Sequence, residues 1–189
     1  MADTDMSFVA KEDNDNWQTP DTVWQTIDRF HEIDTDPCAG CEMTGEETHI
    51  GSSENIRPPR NGLDSEWPGV VFMNPPFSQK KQWLKKAVEE VNTGAATTVY
   101  AVTPDSTDVM SWWHTYIAEN ATISFFPYGR IEYVDPNKDD DESTSGASFG
   151  SAISVFGAQP PQELLDYWAD DSERPHGDLV VRPQNGFEL

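Results

Sequence analysis

The chain has 189 residues, with 34 Asp and Glu against 12 Lys and Arg, which gives a net charge of −22 at pH 7. This length suffices for one domain with a hydrophobic core, and no apolar segment approaches the roughly 20 residues that a membrane span needs. Residues 1–15 are acidic and polar, without the pattern of a signal peptide, so we expect a soluble, cytoplasmic protein.

The acidic charge has three interpretations, which the sequence leaves open. Acidic runs at 135–142 and 166–173 account for part of it. Acids are also spread along the whole chain, as in proteins of extreme halophiles, where concentrated salt screens the self-repulsion. An acidic surface can also mimic DNA. Phosphate binding weakens with salt, so a halophilic DNA enzyme would depend on base contacts and on local clusters such as Lys80, Lys81, Lys85 and Lys86.

The first predicted element is a helix that begins near Thr19, after a solvated arm over residues 1–16. Thr19 can cap this helix, Pro20 suits its first position, and Asp21 complements the helix dipole. Its apolar face comprises Val23, Trp24, Ile27 and Phe30. A short strand over 33–36 follows.

That short strand leads into a loop of small residues, which let the backbone approach a ligand closely. Within it, Cys38 and Cys41 form a C-x-x-C pair. Such a pair indicates zinc only weakly, because a closed site needs four ligands, which His31 and His49 could complete. We expect a reduced pair without a metal.

The most informative stretch of the chain is 70–78, in which four apolar residues predict a buried strand. Pro75 and Pro76 end this strand, because proline cannot donate to a β-ladder. In open α/β sheets, ligands bind where strand ends lead into helices. The predicted helix after Ser78 has an apolar face made of Trp83, Leu84, Ala87, Val88 and Val91.

The residue types of Asn74-Pro75-Pro76-Phe77 suit the binding of a planar amino group. The Asn74 side chain and the Pro75 carbonyl are adjacent acceptors that can take both hydrogens of an exocyclic NH2. Phe77 offers a face on which a flat ring can stack. The alternative is an ordinary proline-rich turn with Phe77 buried in the core.

The remaining elements form βα units that lead to a closing hairpin. Strands are predicted over 97–102, 121–126, 131–134 and 151–156, and an amphipathic helix follows the first of them. Residues 135–147 are predicted to be a loop, 160–169 a terminal helix and 170–189 a tail. This order predicts an α/β sandwich whose last strands run antiparallel.

Several short motifs follow one another along the chain. They are Trp17-x-Thr19-Pro20, Asp34-x-Asp36-Pro37-x-Ala39, Asn61-Gly62-Leu63-x-x-x-Trp67, Asn74-Pro75-Pro76-Phe77, Trp83-x-x-Lys86-Ala87, Gly129-Arg130-Ile131-x-Tyr133 and Gly150-Ser151-Ala152 with Val155-Phe156. The fourth resembles the (D/N/S)-P-P-(Y/F/W) motif of amino-methyltransferases. The whole series, over about residues 17–156, resembles phage-type DNA N6-adenine methyltransferases (Dam-like).

The resemblance implies a trimmed Rossmann-like methyltransferase sandwich with a mixed, mostly parallel sheet and an antiparallel closing hairpin. The domain would cover residues 17–169. It also implies that S-adenosylmethionine is the cofactor, with the Asp36 carboxylate on its ammonium group. Glu42 replaces a glycine of the family's cofactor loop, and Glu54 and Asp64 are candidate ribose or adenine contacts. The implied cofactor-binding residues are Trp17, Thr19, Pro20, Asp36, Pro37, Ala39 and Gly40.

The activity implied by the resemblance is methyl transfer to the N6 amino group of an adenine flipped out of double-stranded DNA. Lys80 and Arg130 would contact this substrate, with no metal and no obligate protein partner. A halophilic virus or provirus as source, and protection of viral DNA from host restriction, are implied in the same way. The implied catalytic residues are Asn74, Pro75, Pro76 and Phe77.

Three alternative functions remain open at this point. N4-cytosine methyl transfer uses the same clamp, although Ser usually opens that form of the motif in place of Asn74. Asn-Pro-Pro also occurs in protein-glutamine methyltransferases. A non-catalytic acidic DNA mimic would have no reason to bind the cofactor, so cofactor binding distinguishes it from the enzymes.

Overall fold

A computed structural model of the chain describes residues 17–38, 54–55, 61–134, 149–170 and 176–182. Its helices are α1 (Asp21–Phe30), α2 (Lys80–Thr93) and α3 (Gln162–Ala169), with a π-helix over Met110–Ala118 and a 3-10 turn over Gly62–Asp64. Its strands are β1 (Thr35–Asp36), β2 (Glu54–Asn55), β3 (Gly69–Met73), β4 (Ala96–Pro104), β5 (Ile123–Pro127), β6 (Ser151–Gly157) and β7 (Gly177–Val181). No helix in these ranges is long and apolar enough to cross a membrane.

The described strands form one seven-stranded sheet in the order β2-β1-β3-β4-β6-β5-β7. The first four of that order pair in parallel, whereas β6 is antiparallel to both β4 and β5, and β7 is antiparallel to β5. Of these strands, only β6 and β7 therefore oppose the common direction. The predicted mixed, mostly parallel sheet with antiparallel closing strands is confirmed.

Helices pack against both faces of the sheet, so β3 and β4 bury side chains on both sides. On one face, Phe72 of β3 shares a core with Ile27 of α1 and Trp168 of α3. On the other face, Met73 shares a core with Leu84 of α2 and Trp113 of the π-helix. The result is the expected α/β sandwich, with α1 and α3 on one side and α2 and the π-helix on the other.

The structure corrects two local predictions. Helix α1 begins at Asp21 with Pro20 in the cap position, so Thr19 does not cap it. Residues 131–134 form no strand of the sheet: Val134 makes one isolated bridge to Gln18. Ile131 and Tyr133 are buried and Glu132 is exposed, so the alternation that predicted a strand reflects an extended segment that packs on one side.

The structure also changes the predicted C-terminal tail, because Gly177–Val181 within it forms the edge strand β7. The acidic arm, Ala39, Gly40, Cys41 and the whole predicted loop 135–147 lie outside the described residues. The limits of the methyltransferase domain stay a prediction.

Candidate active site

The candidate site lies at one edge of the sheet, where β1, β3, β4 and β5 all end. Strand β6 begins at the same edge, because its Ser151 pairs with Pro104 at the end of β4. The edge therefore collects Asp36 at the end of β1, Asn74 after β3 and Phe149 before β6. Ligand sites of open α/β sheets occupy this edge.

The N-terminal segment lies against the Asn-Pro-Pro-Phe tetrapeptide. Gln18 and Val134 exchange two backbone hydrogen bonds of 3.0 Å, and the Trp17 ring meets the Tyr133 ring edge-on at 6.4 Å. The side-chain Nδ2 of Asn74 donates to the Trp17 carbonyl oxygen at 2.8 Å. The structure thus brings together Trp17 and Asn74, two predicted site residues that are 57 positions apart in the chain.

The bond to Trp17 determines which way the Asn74 amide faces. A carbonyl oxygen can only accept, so the amide nitrogen of Asn74 must be the atom that faces it. The Oδ1 atom then points elsewhere, where it is buried and has no hydrogen-bond partner. Leaving a buried acceptor unpaired costs about 1–3 kcal/mol, which a donor on a ligand would recover.

The backbone carbonyls of the tetrapeptide also differ in whether they accept a hydrogen bond from the local turn. The Pro76 oxygen accepts from the Gln79 N–H at 2.9 Å, and the Phe77 oxygen accepts from Lys80 Nζ at 2.7 Å. Among the described residues, no backbone N–H of a turn or loop donates to the Pro75 carbonyl. The backbone of the local turn therefore does not occupy the Pro75 carbonyl, which together with the unpaired Asn74 Oδ1 forms the clamp that the sequence predicts.

Phe77 belongs to a buried aromatic cluster next to the clamp. Its side chain is only 7% exposed, and its ring meets Tyr133 and Phe149 edge-on at 5.8 and 5.3 Å. The Tyr133 hydroxyl lies 3.0 Å from Ser151 Oγ, and burial raises the pKa of Tyr133 to about 12. The cluster is therefore uncharged at neutral pH. Tyr133 lies in the motif Gly129-Arg130-Ile131-x-Tyr133, whereas nothing in the sequence identifies Phe149 as a site residue.

The loop after β1 rests on two stacked tryptophans, Trp67 and Trp83, whose ring centroids are 5.9 Å apart. We call this pair the tryptophan platform. The Trp67 indole N–H donates to the Gly62 carbonyl at 2.8 Å. Gly62 has no room for a side chain, because a Cβ there would lie 2.7 Å from Cη2 of Trp83 and would also collide with the Pro37 carbonyl oxygen. Gly62 is therefore packed between the platform and Pro37.

Asp36 is 5% exposed, and its Oδ1 accepts from the Cys38 N–H at 2.9 Å. This bond closes a tight turn at the end of β1. The predicted contact of Asp36 with an ammonium group stays a prediction. Asp64 is exposed and accepts from Asn61 Nδ2 at 3.1 Å. Within the described residues, no group of three His, Cys, Asp or Glu side chains could hold a metal ion.

The two predicted substrate contacts differ in their surroundings. Lys80 Nζ, besides its bond to Phe77, lies 5.3 Å from the centre of the Trp112 ring, so it helps to fix the turn of the tetrapeptide. Arg130 is exposed and follows β5 at the edge where the site lies. Contact of either side chain with a substrate stays a prediction.

Buried polar atoms without partners are concentrated at this edge. The described residues contain four such side-chain atoms, and three of them are Thr19 Oγ1, Asn74 Oδ1 and Thr103 Oγ1. Thr103 lies near the end of β4, and Thr19 lies in the segment that covers Asn74. Unpaired buried polar atoms are rare in folded proteins. Their accumulation fits a polar ligand bound at this edge.

A family assignment agrees with this geometry. The DNA N-6-adenine-methyltransferase (Dam) family matches residues 6–174, most of the chain. The chain belongs to this family. No curated protein matches the chain. Among solved structures, PH1948 of Pyrococcus horikoshii, named as an RNA methyltransferase, aligns at a TM-score of 0.38 and 17% identity over 57% of this chain and 49% of that one. The chain thus spans about half the length of that structure.

The predicted membership of the DNA N6-adenine methyltransferase family is confirmed. Neither N4-cytosine nor protein-glutamine transfer gains support from this assignment. The family implies a methyl donor, and the unpaired polar atoms of the edge fit such a ligand. The roles of the individual site residues stay predictions.

Proposed function

We propose that this Dam-family chain transfers the methyl group of S-adenosylmethionine to the N6 amino group of an adenine that has left the DNA duplex. The observation that carries the proposal is the unpaired, buried Oδ1 of Asn74, turned away from the Trp17 carbonyl that holds its amide nitrogen. An amino group has two hydrogens, and Asn74 Oδ1 and the neighbouring Pro75 carbonyl can accept one each.

The clamp activates the amino nitrogen as well as holding it. In free adenine the N6 lone pair is delocalised into the ring, which keeps the nitrogen planar. Hydrogen bonds from both N–H groups to Asn74 and Pro75 favour a more tetrahedral nitrogen, whose lone pair points out of the ring plane. When bound, S-adenosylmethionine supplies an electrophilic methyl group on a sulfonium centre. The amino nitrogen would take this methyl group as the carbon–sulfur bond breaks and a neutral thioether leaves, and it would then release one proton to water. Because no protein group forms a covalent bond, positioning would account for much of the rate.

Entry of the base requires a rearrangement of the aromatic cluster. Because Phe77 is 7% exposed and lies edge-on to Phe149, a flat base cannot yet cover its ring. We expect Phe149 to turn aside as the base enters, so that the base takes its place against Phe77. The base then exchanges stacking in the duplex for stacking in the site, which offsets part of the few kcal/mol that flipping costs.

The same edge offers residues for the methyl donor. Thr19 Oγ1 is buried and unpaired, so its hydroxyl can donate to the carboxylate of the donor's methionine end. Asp36 at the end of β1 is the acid for the ammonium group, and Trp17, Pro20 and Pro37 shape the cavity around it.

The biological setting is part of the proposal. We infer from the net charge of −22 that the enzyme works in concentrated salt, where its self-repulsion is screened. It would act in the cytoplasm of a host cell and protect viral DNA from host restriction. Deleting the gene from the virus should then remove N6-methyladenine from the viral genome and make this DNA a substrate for the host nuclease; unchanged methylation would contradict this role.

The first experiment is transfer of tritium from labelled S-adenosylmethionine to unmethylated DNA in multimolar KCl. We expect the label in N6-methyladenine, and its loss in Asn74→Ala. The matched control is Asn120→Ala, because Asn120 is an exposed asparagine whose amide bonds to carbonyls at the end of the π-helix. Label in cytosine would contradict the proposed substrate, and full activity of Asn74→Ala would contradict the clamp.

A further inference from the structure

The backbone before α1 makes a contact that its sequence does not reveal. The resemblance implies that Trp17 contacts the methyl donor. In the structure, the Trp17 carbonyl also accepts a partly buried hydrogen bond of 2.8 Å from Nδ2 of Asn74. Hydrogen bonds are stronger in the protein interior than in water. The Trp17 carbonyl is therefore a direct neighbour of the clamp, and it bonds to the one clamp side chain that has both a donor and an acceptor.

Contacts with the segment before β6 fix the position of the Trp17 carbonyl. The next residue, Gln18, donates its N–H to the Val134 carbonyl and accepts from the Val134 N–H, both at 3.0 Å. The Trp17 ring meets the Tyr133 ring edge-on, and the Tyr133 hydroxyl lies 3.0 Å from Ser151 Oγ at the start of β6. The carbonyl is thus held relative to the sheet by backbone and ring contacts together.

The side chain at position 74 has two opposite tasks. Toward the Trp17 carbonyl it must donate, because a carbonyl oxygen can only accept, and toward the amino group of adenine it must accept. An amide carries one donor group and one acceptor, so Asn74 satisfies both. An ionised carboxylate has acceptors only, and it would place an oxygen against the Trp17 oxygen. The wider motif also admits Asp at this position, but the Trp17 carbonyl favours the amide in this chain.

We propose that the Trp17 carbonyl is a positioning group of the active site, which makes an amide rather than a carboxylate the working side chain at position 74. This inference rests on the proposed function, because it takes Asn74 Oδ1 to be the acceptor for the adenine amino group. Trp17 acts through Asn74 and takes no part in the chemical step. A clamp that depended on its acceptors alone would favour the carboxylate, because hydrogen bonds to an ionised acceptor are roughly twice as strong.

The first test is Asn74→Asp, which keeps the shape of the side chain and removes its donor. At about pH 8 we expect kcat/KM for DNA to fall about 5- to 150-fold, the effect of one unpaired buried group. As the pH falls toward about 5, the carboxyl group takes up a proton and can donate to the Trp17 carbonyl again. The activity of Asn74→Asp relative to the wild type should therefore rise.

The ratio of variant to wild type at each pH isolates the new carboxyl group. Titration of groups that both proteins share, such as Asp36 at the same edge, cancels in this ratio. Tyr133 stays neutral throughout, because burial raises its pKa to about 12. Wild-type activity of Asn74→Asp at about pH 8, or a ratio that does not rise as the pH falls toward about 5, would overturn the proposal.

Variants of Trp17 test the other side of the bond. Trp17→Phe keeps a ring that can pack on Tyr133 and should keep most of the activity, whereas Trp17→Ala should lower kcat. Because both changes act through one hydrogen bond, Trp17→Ala combined with Asn74→Asp should be about as active as Asn74→Asp alone. The matched control is Trp24→Ala, which removes a tryptophan of α1 bonded to Asp21, and its loss should multiply with that of Asn74→Asp. Losses that also multiply for Trp17→Ala would overturn the proposal.

A second readout does not depend on methyl transfer. In protein with isotope-labelled asparagine, the side-chain amide signals of Asn74 are those that disappear in Asn74→Asp. Their hydrogens should exchange slowly with solvent in the wild type and in Trp17→Phe, and faster in Trp17→Ala. If this protection is present but no methyl group reaches adenine, the proposed reaction fails while the positioning role stands. If adenine is methylated and the Asn74 amide exchanges as fast as that of the exposed Asn92, the positioning role fails alone.

Discussion

Gly62 offers a sharp test of how the predicted cofactor loop after β1 is positioned, because one methyl group added there would displace atoms of Pro37 and Trp83. In Gly62→Ala the new Cβ would lie 2.7 and 2.9 Å from two ring carbons of Trp83 and would collide with the Pro37 carbonyl. Ordinary contacts begin near 3.4 Å. Pro37 and the tryptophan platform must therefore separate by about 1 Å, a displacement that can lower the rate of a positioned reaction about 10²-fold.

Gly62→Ala should lower both the folding stability and the affinity for the methyl donor. Overpacking of this kind costs about 1–3 kcal/mol, and each kcal/mol lowers Tm by about 2–4 °C in a chain of this size. Calorimetric titration with S-adenosylmethionine should show affinity reduced about tenfold or more. KM for DNA should not change, because the atoms nearest to an added Cβ at Gly62 belong to Pro37 and Trp83 and not to the Asn-Pro-Pro-Phe tetrapeptide.

The matched control for this prediction is Gly94→Ala. Gly94 has a φ of +81° and no atom within 4 Å of an added Cβ, so the substitution strains the backbone at the end of α2 without touching the site. Both variants should lose stability, and only Gly62→Ala should lose affinity for the methyl donor. If Gly62→Ala binds the donor as the wild type does, or as Gly94→Ala does, the platform has no role in positioning the loop.

Three more predictions address pH, the aromatic cluster and β7. Burial lowers the pKa of His31, whose Nδ1 lies 2.8 Å from the Tyr100 hydroxyl. The folded protein therefore favours the neutral ring, and its stability is full above about pH 6.5 and is lost as the pH falls below that value. Tm should drop more steeply from about pH 7.5 to about pH 5.5 in the wild type than in His31→Gln. Phe77→Ala should lose about 3–5 kcal/mol of folding stability in thermal melts and should also lose activity. Phe77→Tyr should retain activity, because a tyrosine ring can stack in the same way. An inactive Phe77→Tyr would argue against a stacking role. Arg182→Ala removes the 2.8 Å bond from the guanidinium to Ser124 Oγ and should lower Tm by about 2–6 °C, and an unchanged Tm would mean that β7 contributes little to the fold.

Predictions from the sequence are most accurate for features that neighbouring residues determine. The apolar run before Pro75 predicts β3, and the prolines predict where this strand ends. The pairing of Trp17 with Asn74 is different, because 57 positions separate the two residues and no spacing rule relates them. The contact between these two residues, and the way the Asn74 amide faces, could be known only from the structure.

Predictions failed where a local pattern has more than one cause. The alternation at 131–134 is typical of a strand, yet this segment packs one side against the site, and the bridge that it makes to Gln18 lies outside the seven-stranded sheet. The segment at 177–181 contains only a short apolar run, Leu179-Val180-Val181, in an otherwise acidic and polar part of the chain, and as an edge strand it leaves Val180 and Val181 exposed. In both cases tertiary contacts decide the outcome.

The position of β6 has a consequence for how the chain folds. Strand β4 has a free second edge until residues 151–157 arrive to pair with it, and the β5–β7 pair joins the rest of the sheet only through β6. A chain made only as far as Val134 would therefore contain the clamp and yet leave an apolar strand edge open to other molecules. Closing the sheet depends on contacts between distant residues, which form slowly. During synthesis, the protein is most prone to aggregation just before β6 is added.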